Sequence, residues 1–351
     1  MKGGAERNMR KSGRPPAPIG RRRGGISAFI WITWENCRRT KELSAALGVP
    51  VYEIRRHGAY LQRTALQLVK TVTLLWRKRP PGVIVQNPSM VLAWVACLLK
   101  PLLHYRLVVD RHTALMCELP PTRLPIRGIV GYLNRYTARK ADLTIVTNNY
   151  VRGLVEEWGG HGFVLQDKLP ELRCVEVGPA RLIEKHNIAY ICSFLADEPV
   201  DEVLEAARRL EDSTVVYVTG DSGKYLRRRQ GTIPGNVVLT GFLCETDFVS
   251  LLATADAVMV LTKRDHTLLC GAYEAISLGK PLILSNTQCL REYFRDGPIY
   301  AENKGSDIAR AIRVVLDAQA PISRTIAKLR QSLDKDWARA FEQLRVTVGK
   351  L

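Results

Sequence analysis

LTKRDHTLLCGAYEAISLGKPLIL, residues 261–284, sets one acidic side chain, Glu274, inside a short helix that is bounded on both sides. Thr267 is placed to cap the N-terminus, and apolar positions follow at Leu268, Leu269, Ala272, Ile276 and Leu278. Gly279 supplies a left-handed C-terminal position, and Pro281 leads into a strand at 282–284. Such a helix aims N–H groups and the positive end of its dipole at whatever lies beyond its first turn. Backbone around Leu269 and Gly271 is therefore suited to phosphate. Glu274, one to two turns on, is suited to accept hydrogen bonds from sugar hydroxyls.

Outward from this segment, short β-branched strands alternate with amphipathic helical stretches. Strands are expected at 27–32, 49–52, 83–86, 107–110, 143–147 and 163–165, with helices at 40–47, 63–77, 89–99, 126–138 and 149–158. The alternation pauses over 171–187, rich in charge and interrupted by proline and Gly178, and then restarts. The pattern predicts an α/β fold of two Rossmann-like, doubly wound domains built on parallel sheets. Residues 26–170 form the first, 171–187 a linker, and 188–321 the second. Helical residues 322–351 follow, and a basic tail, 1–25, is expected to be disordered.

The chain of 351 residues carries a net charge of +18, with eight Lys or Arg against one Glu in its first 25 residues. That balance favours acidic partners: nucleic acid, an anionic membrane leaflet or a diphosphate-linked lipid. Eight cysteines stand no closer than 18 residues apart, which excludes CxxC redox or zinc spacing and fits a reducing compartment. The longest apolar run, 90–99, falls short of the ~20 residues of a spanning helix and reads as a core helix. No apolar segment follows the basic N-terminus before Ile26, so a secretory signal is not expected.

Other polar groups fall at strand ends, where open α/β sheets bind ligands. After the first strand, Glu35, Arg38 and Arg39 are candidates for acceptor or phosphate contacts, the arginines through bidentate bonds. In the second half, Gly220 and Lys224 follow the strand to Thr219, and Lys263 and Arg264 precede His266; these bases are suited to a leaving diphosphate. Asp197, Glu198, Asp201 and Glu202 read as an acidic helix start.

The run Glu274-Ala275-Ile276-Ser277-Leu278-Gly279-Lys280-Pro281 resembles the donor-site segment of GT-B glycosyltransferases, especially glycosyltransferase family 4. The likeness covers roughly residues 236–290. In that family an acidic residue that contacts the donor sugar stands eight positions before the Glu. Here that position is His266, with Asp265 beside it. The resemblance implies a GT-B architecture: two domains facing a cleft, with the last helix returning to the first domain. A basic residue commonly follows the first strand of the second domain in these enzymes, whereas residues 193–197 contain none. No Asp-x-Asp of the kind that carries metal in the other glycosyltransferase fold is seen, the run at 334–336 lying in the helical end of the chain, so metal independence and no cofactor are expected. The segments at 83–88 (VIVQNP) and 106–113 (RLVVDRHT) resemble those of the β-mannosyltransferases that extend dolichol-diphosphate chitobiose. They offer Asn87 on the acceptor side, and Asp110 and His112 as general bases should the anomeric centre invert.

The expected function is transfer of a sugar from a nucleotide diphosphate sugar to a hydroxyl acceptor, a lipid-linked saccharide in glycan or exopolysaccharide assembly. The expected location is the inner face of the cytoplasmic membrane, held there peripherally through the basic tail and first domain. The alternatives are a non-catalytic GT-B-like protein, a sugar-nucleotide 2-epimerase, and a nucleic-acid-binding protein resting on charge alone.

Overall fold

The computed structural model describes residues 26–86, 89–111, 124–172, 185–210, 213–228 and 231–351. A single 3-10 turn, Ile26–Ala28, precedes the first half. That half runs β1 (Phe29–Thr33), α1 (Arg38–Leu47), β2 (Val51–Glu53), α2 (Tyr60–Lys78), β3 (Gly82–Gln86), α3 (Met90–Leu103), β4 (Arg106–Arg111), α4 (Leu124–Lys140), β5 (Leu143–Val146), α5 (Asn149–Glu157) and β6 (Gly162–Val164). All its strands pair in parallel, in the order β2-β1-β3-β4-β5-β6. Side chains alternate across this sheet, as the period of two requires. Ile30, Ile32, Val83, Val85, Leu107 and Val109 face α2, α3 and α4. Phe29, Trp31, Ile84 and Val108 face α1 and the end of the chain.

The second half runs β7 (His186–Tyr190), α6 (Val200–Arg208), β8 (Thr214–Thr219), α7 (Gly223–Arg228), β9 (Val237–Gly241), α8 (Glu245–Thr254), β10 (Ala257–Val260), α9 (Cys270–Ser277), β11 (Leu282–Ser285), α10 (Gln288–Phe294), β12 (Ile299–Ala301), α11 (Gly305–Asp317) and α12 (Gln319–Gly349). Its sheet is also fully parallel, in the order β12-β11-β10-β7-β8-β9. In both sheets the first strand lies inside and the chain builds outward on either side of it. The crevice at that reversal is where such sheets take ligands.

α12 joins the two halves. Ile322, Ile326, Leu329 and Leu333 are buried in the second core, whereas Leu344 and Val348 are buried against the first sheet. Between them Trp337 stacks on Phe341 and donates from Nε1 to the Gln166 carbonyl at 3.2 Å. The last helix thus returns to the first domain.

Several boundaries differ from the sequence reading. His186 and Asn187, assigned to the linker, already pair with Thr214 and Val215 in the sheet. The last helix starts at Gln319 and tolerates Pro321 because the first turn needs no N–H there. The helix carrying Glu274 starts at Cys270, not after Thr267, whose buried hydroxyl caps nothing and has no hydrogen-bond partner. α7, α10 and β12 were not expected, being too short for a clear apolar period.

Candidate active site

α9 stands at the carboxyl ends of β10 and β7. Gly271 lets it lie close, since a Cβ there would meet Ile191 Cδ1 at 2.8 Å and Val260 Cγ1 at 3.1 Å. Gly279, at φ +68, closes the helix: the Lys280 N–H reaches Ala275 O and the Gly279 N–H reaches Ile276 O. At the other end Leu269 occupies the N-cap position and no side chain caps the first turn. Glu274 projects from this helix toward the first domain. Its side chain is only 16% exposed, and Arg38 Nη1 donates to Oε1 at 3.2 Å from across the cleft. Burial raises the Glu274 pKa above the ordinary carboxylate value, and the adjacent guanidinium partly offsets that rise.

Arg38 and Arg39 are neighbours with opposite environments. Arg38 is 40% exposed in the cleft, while Arg39 is 4% exposed beneath it. Arg39 Nε donates to both Asp110 oxygens, at 3.0 and 3.2 Å, Nη1 to Asp167 at 2.6 Å, and Nη2 to the Leu165 carbonyl at 2.9 Å. Burial, the largest single influence, pulls the Arg39 pKa down, but Asp110 and Asp167 outweigh it and hold the guanidinium charged. Two site assignments are corrected here. Asp110 is fully buried on β4 and paired with Arg39, so it is not a cleft base, and Arg39 is not a phosphate ligand. The pair fixes the start of α1, and with it Arg38. Glu35 is exposed in the loop between β1 and α1. Asn87 and His112 lie outside the described residues.

His266 joins the two domains. Its ring stacks on Tyr150 at 3.5 Å and 11°, and its carbonyl accepts from Asn148 Nδ2 at 3.0 Å. Asn148 also caps α5, its Oδ1 accepting from the Val151 N–H. Asp265 beside it is exposed. Sequence reading missed Asn148 and Tyr150, which come from the first domain and belong to no motif. Their only signal was an Asn directly after a strand and before a helix.

The loop after β7 is acidic and closed on itself. Glu198 accepts from the N–H groups of Ser193 at 3.0 Å and Leu195 at 2.7 Å, and from Cys192 Sγ at 3.4 Å. Its carboxyl pKa is raised, chiefly by burial. Phe194 sits here at φ +55, a left-handed value rare for a bulky residue. Gly220 packs against the same loop, for a Cβ on it would lie 2.3 Å from the Cys192 carbonyl oxygen. The bases predicted to meet a diphosphate are partly engaged. Arg264 pairs with Asp197 at 3.2 Å and Lys263 with Glu202 at 2.9 Å. Lys224 shares a pocket with Lys263, Arg228 and Glu198.

Two facing doubly wound domains, a helix start and a carboxylate at the cleft, and a final helix crossing back define the GT-B fold. Residues 185–318 match the family model described as Glycosyl transferases group 1. Similar solved structures cover nearly the whole chain. Anabaena Alr3699/HepE, solved with UDP-glucose, has a TM-score of 0.70 at 14% identity, covering 92% of this chain and 100% of that one. Sucrose-phosphate synthase from Thermosynechococcus elongatus has a TM-score of 0.72 at 15% identity, covering 90% and 97%. The UDP-forming α,α-trehalose-phosphate synthase from Burkholderia vietnamiensis has a TM-score of 0.68 at 8% identity, covering 92% and 100%. None of the curated proteins matches the chain in sequence. The chain thus has the GT-B fold, and residues 185–318 are similar to group 1 glycosyl transferases.

Proposed function

We propose that this protein transfers a sugar from a nucleotide diphosphate sugar to a hydroxyl of a lipid-linked saccharide. The observation that carries this reading is the Arg38–Glu274 contact of 3.2 Å, which joins the two domains in the second turn of α9. Glu274 accepts hydrogen bonds from donor hydroxyls. Backbone N–H groups at Leu269 to Gly271 meet the phosphates, helped by the helix dipole. Arg38 exchanges the Glu274 carboxylate for the diphosphate and stabilises the charge that develops as the nucleotide leaves. Lys224, which shares a pocket with Lys263, is a further base for the diphosphate. Metal and cofactor play no part in this scheme. HepE was solved with UDP-glucose, which makes uridine nucleotides the first donors to try.

The acceptor lies on the first-domain side, and the protein works peripherally at the inner face of the cytoplasmic membrane. Among the described residues no helix is long and apolar enough to cross a membrane. The test is to incubate the protein with a panel of nucleotide diphosphate sugars and a short-chain lipid diphosphate saccharide, in buffer with and without EDTA. Mass spectrometry of both substrates then reads the outcome. An acceptor heavier by one sugar, formed equally with EDTA, supports the reading. An epimerised donor with an unchanged acceptor contradicts it in favour of a 2-epimerase. Nucleotide binding with no product from any donor supports a non-catalytic relative.

A further inference from the structure

The helices α2, α3 and α4 cover one face of the first sheet, and their outer surface is unusual in two independent ways. Not one Asp or Glu occurs in the three helices, whereas Arg63, Lys70, Arg77 and Lys78 lie on α2 alone. On the same surface, large apolar side chains point into solvent. α2 turns Gln67, Thr71 and Leu75 toward the protein, where Gln67 donates to the Ile54 carbonyl and Thr71 accepts from Trp34 Nε1. Its outer side carries Leu61 at 80% exposure, Val69 at 61% and Trp76 at 50%. An ordinary surface helix buries its apolar stripe and exposes its polar one; α2 buries two polar groups beside Leu75 and exposes large apolar side chains among its basic ones. The neighbouring helices continue the patch through Leu102, Ile129 and Tyr132, each at least 60% exposed. Nine of the fifteen large apolar side chains exposed among the described residues lie on these three helices.

We infer that the outer surface of α2, α3 and α4 docks on an anionic lipid bilayer, with the apolar side chains entering the headgroup boundary and the basic ones on its phosphates. Exposed apolar area on this scale calls for a partner, and charge without a single acid calls for an anionic one. Nucleic acid would satisfy the charge but not Leu61, Leu66 and Val69, which offer aliphatic surface and no base-stacking face. Aromatic and basic groups are also paired as a headgroup layer favours: Arg79 lies over the Trp76 ring at 5.2 Å and Arg63 over Tyr60 at 5.5 Å. The inference rests on the proposal of a lipid-linked acceptor for its purpose, and it gives that acceptor a surface from which to reach the cleft.

Sedimentation of the full-length protein with vesicles of phosphatidylcholine, with and without phosphatidylglycerol, tests it, with a short RNA as a separate ligand. The expected result is binding to the anionic vesicles that weakens with salt. Leu61→Ser combined with Trp76→Ser should lower it by about tenfold or more, since two large apolar side chains then gain nothing from leaving water. Lys70→Glu combined with Arg77→Glu should remove the preference for the anionic lipid. All four positions are exposed, so far-UV circular dichroism and nucleotide binding should stay unchanged. Absence of vesicle binding, binding untouched by the apolar pair, or binding of RNA instead of vesicles would each overturn the inference. Vesicle binding without sugar transfer would overturn the proposed activity alone, and transfer to a soluble acceptor without vesicle binding would overturn the docking surface alone.

Discussion

The loop and helix start that follow the first strand of each sheet stand at the same place in their domains, and the two segments carry opposite net charge. After β1 come Glu35, Arg38 and Arg39; after β7 come Asp197, Glu198, Asp201 and Glu202. In the second domain Glu198 fills the ring of backbone N–H groups that an anion would otherwise use, and Asp197 and Glu202 hold Arg264 and Lys263. In the proposed scheme, positive charge for a diphosphate therefore reaches the donor helix chiefly from the opposite domain, through Arg38. Such a site would be complete only with the cleft closed.

The largest effect expected from breaking this arrangement is structural. Arg39→Ala leaves Asp110 buried and uncompensated, and loss of one partner from a buried pair costs about 3–5 kcal/mol. Urea unfolding should show that loss as a lower midpoint. Arg38→Ala, one residue away, removes a half-exposed ion pair worth about 0–1 kcal/mol and should leave the midpoint nearly unchanged. Equal losses would erase the distinction between the two arginines.

Glu274→Gln comes next. A hydrogen bond to a charged group is worth about 1.5–3 kcal/mol, so nucleotide affinity by calorimetry should fall roughly tenfold to hundredfold. The smallest effect belongs to Glu198. Glu198→Gln removes a negative charge beside the cleft and should tighten nucleoside diphosphate binding a few-fold while leaving the uncharged nucleoside unaffected. Its pH signature has a definite sign. The folded carboxyl pKa is raised, so the folded state binds more protons than the unfolded one between the two values. Its contribution to stability is therefore full below the ordinary carboxylate pKa and is lost as pH rises through the folded value. Thermal melts across that window should slope downward in the wild type and less so in Glu198→Gln.

Much of the fold was legible because parallel strands buried on both faces leave strong signals: runs such as TVVYVT at 214–219 and LILS at 282–285 read as strands without tertiary information. The helix around Glu274 was readable through Gly279 and Pro281. Its start was misread because Thr267 has the chemistry of a cap but lies three residues before Cys270, and the N-cap position falls to Leu269. Asp110 and Arg39 were misread for a related reason. Both lie in polar runs at strand or helix ends, and sequence does not tell a side chain that faces the cleft from one that folds beneath it. The contacts of His266 with Asn148 and Tyr150 join residues more than a hundred positions apart, and no local pattern encodes them. Glu198 was visible as part of an acidic helix start, but its role as the anion inside the loop depends on the left-handed turn at Phe194.

The claim that the donor's charge is met across the cleft is tested most directly by thermal shifts of wild type, Arg38→Ala and Glu274→Ala with UDP, GDP, CDP and ADP. A nucleotide at 100 times its dissociation constant stabilises a protein by about 2.7 kcal/mol. The account predicts a shift of the wild type with one of the four, abolished in Glu274→Ala and clearly reduced in Arg38→Ala. A shift of full size in Arg38→Ala would contradict it, because the second domain would then hold the diphosphate by itself.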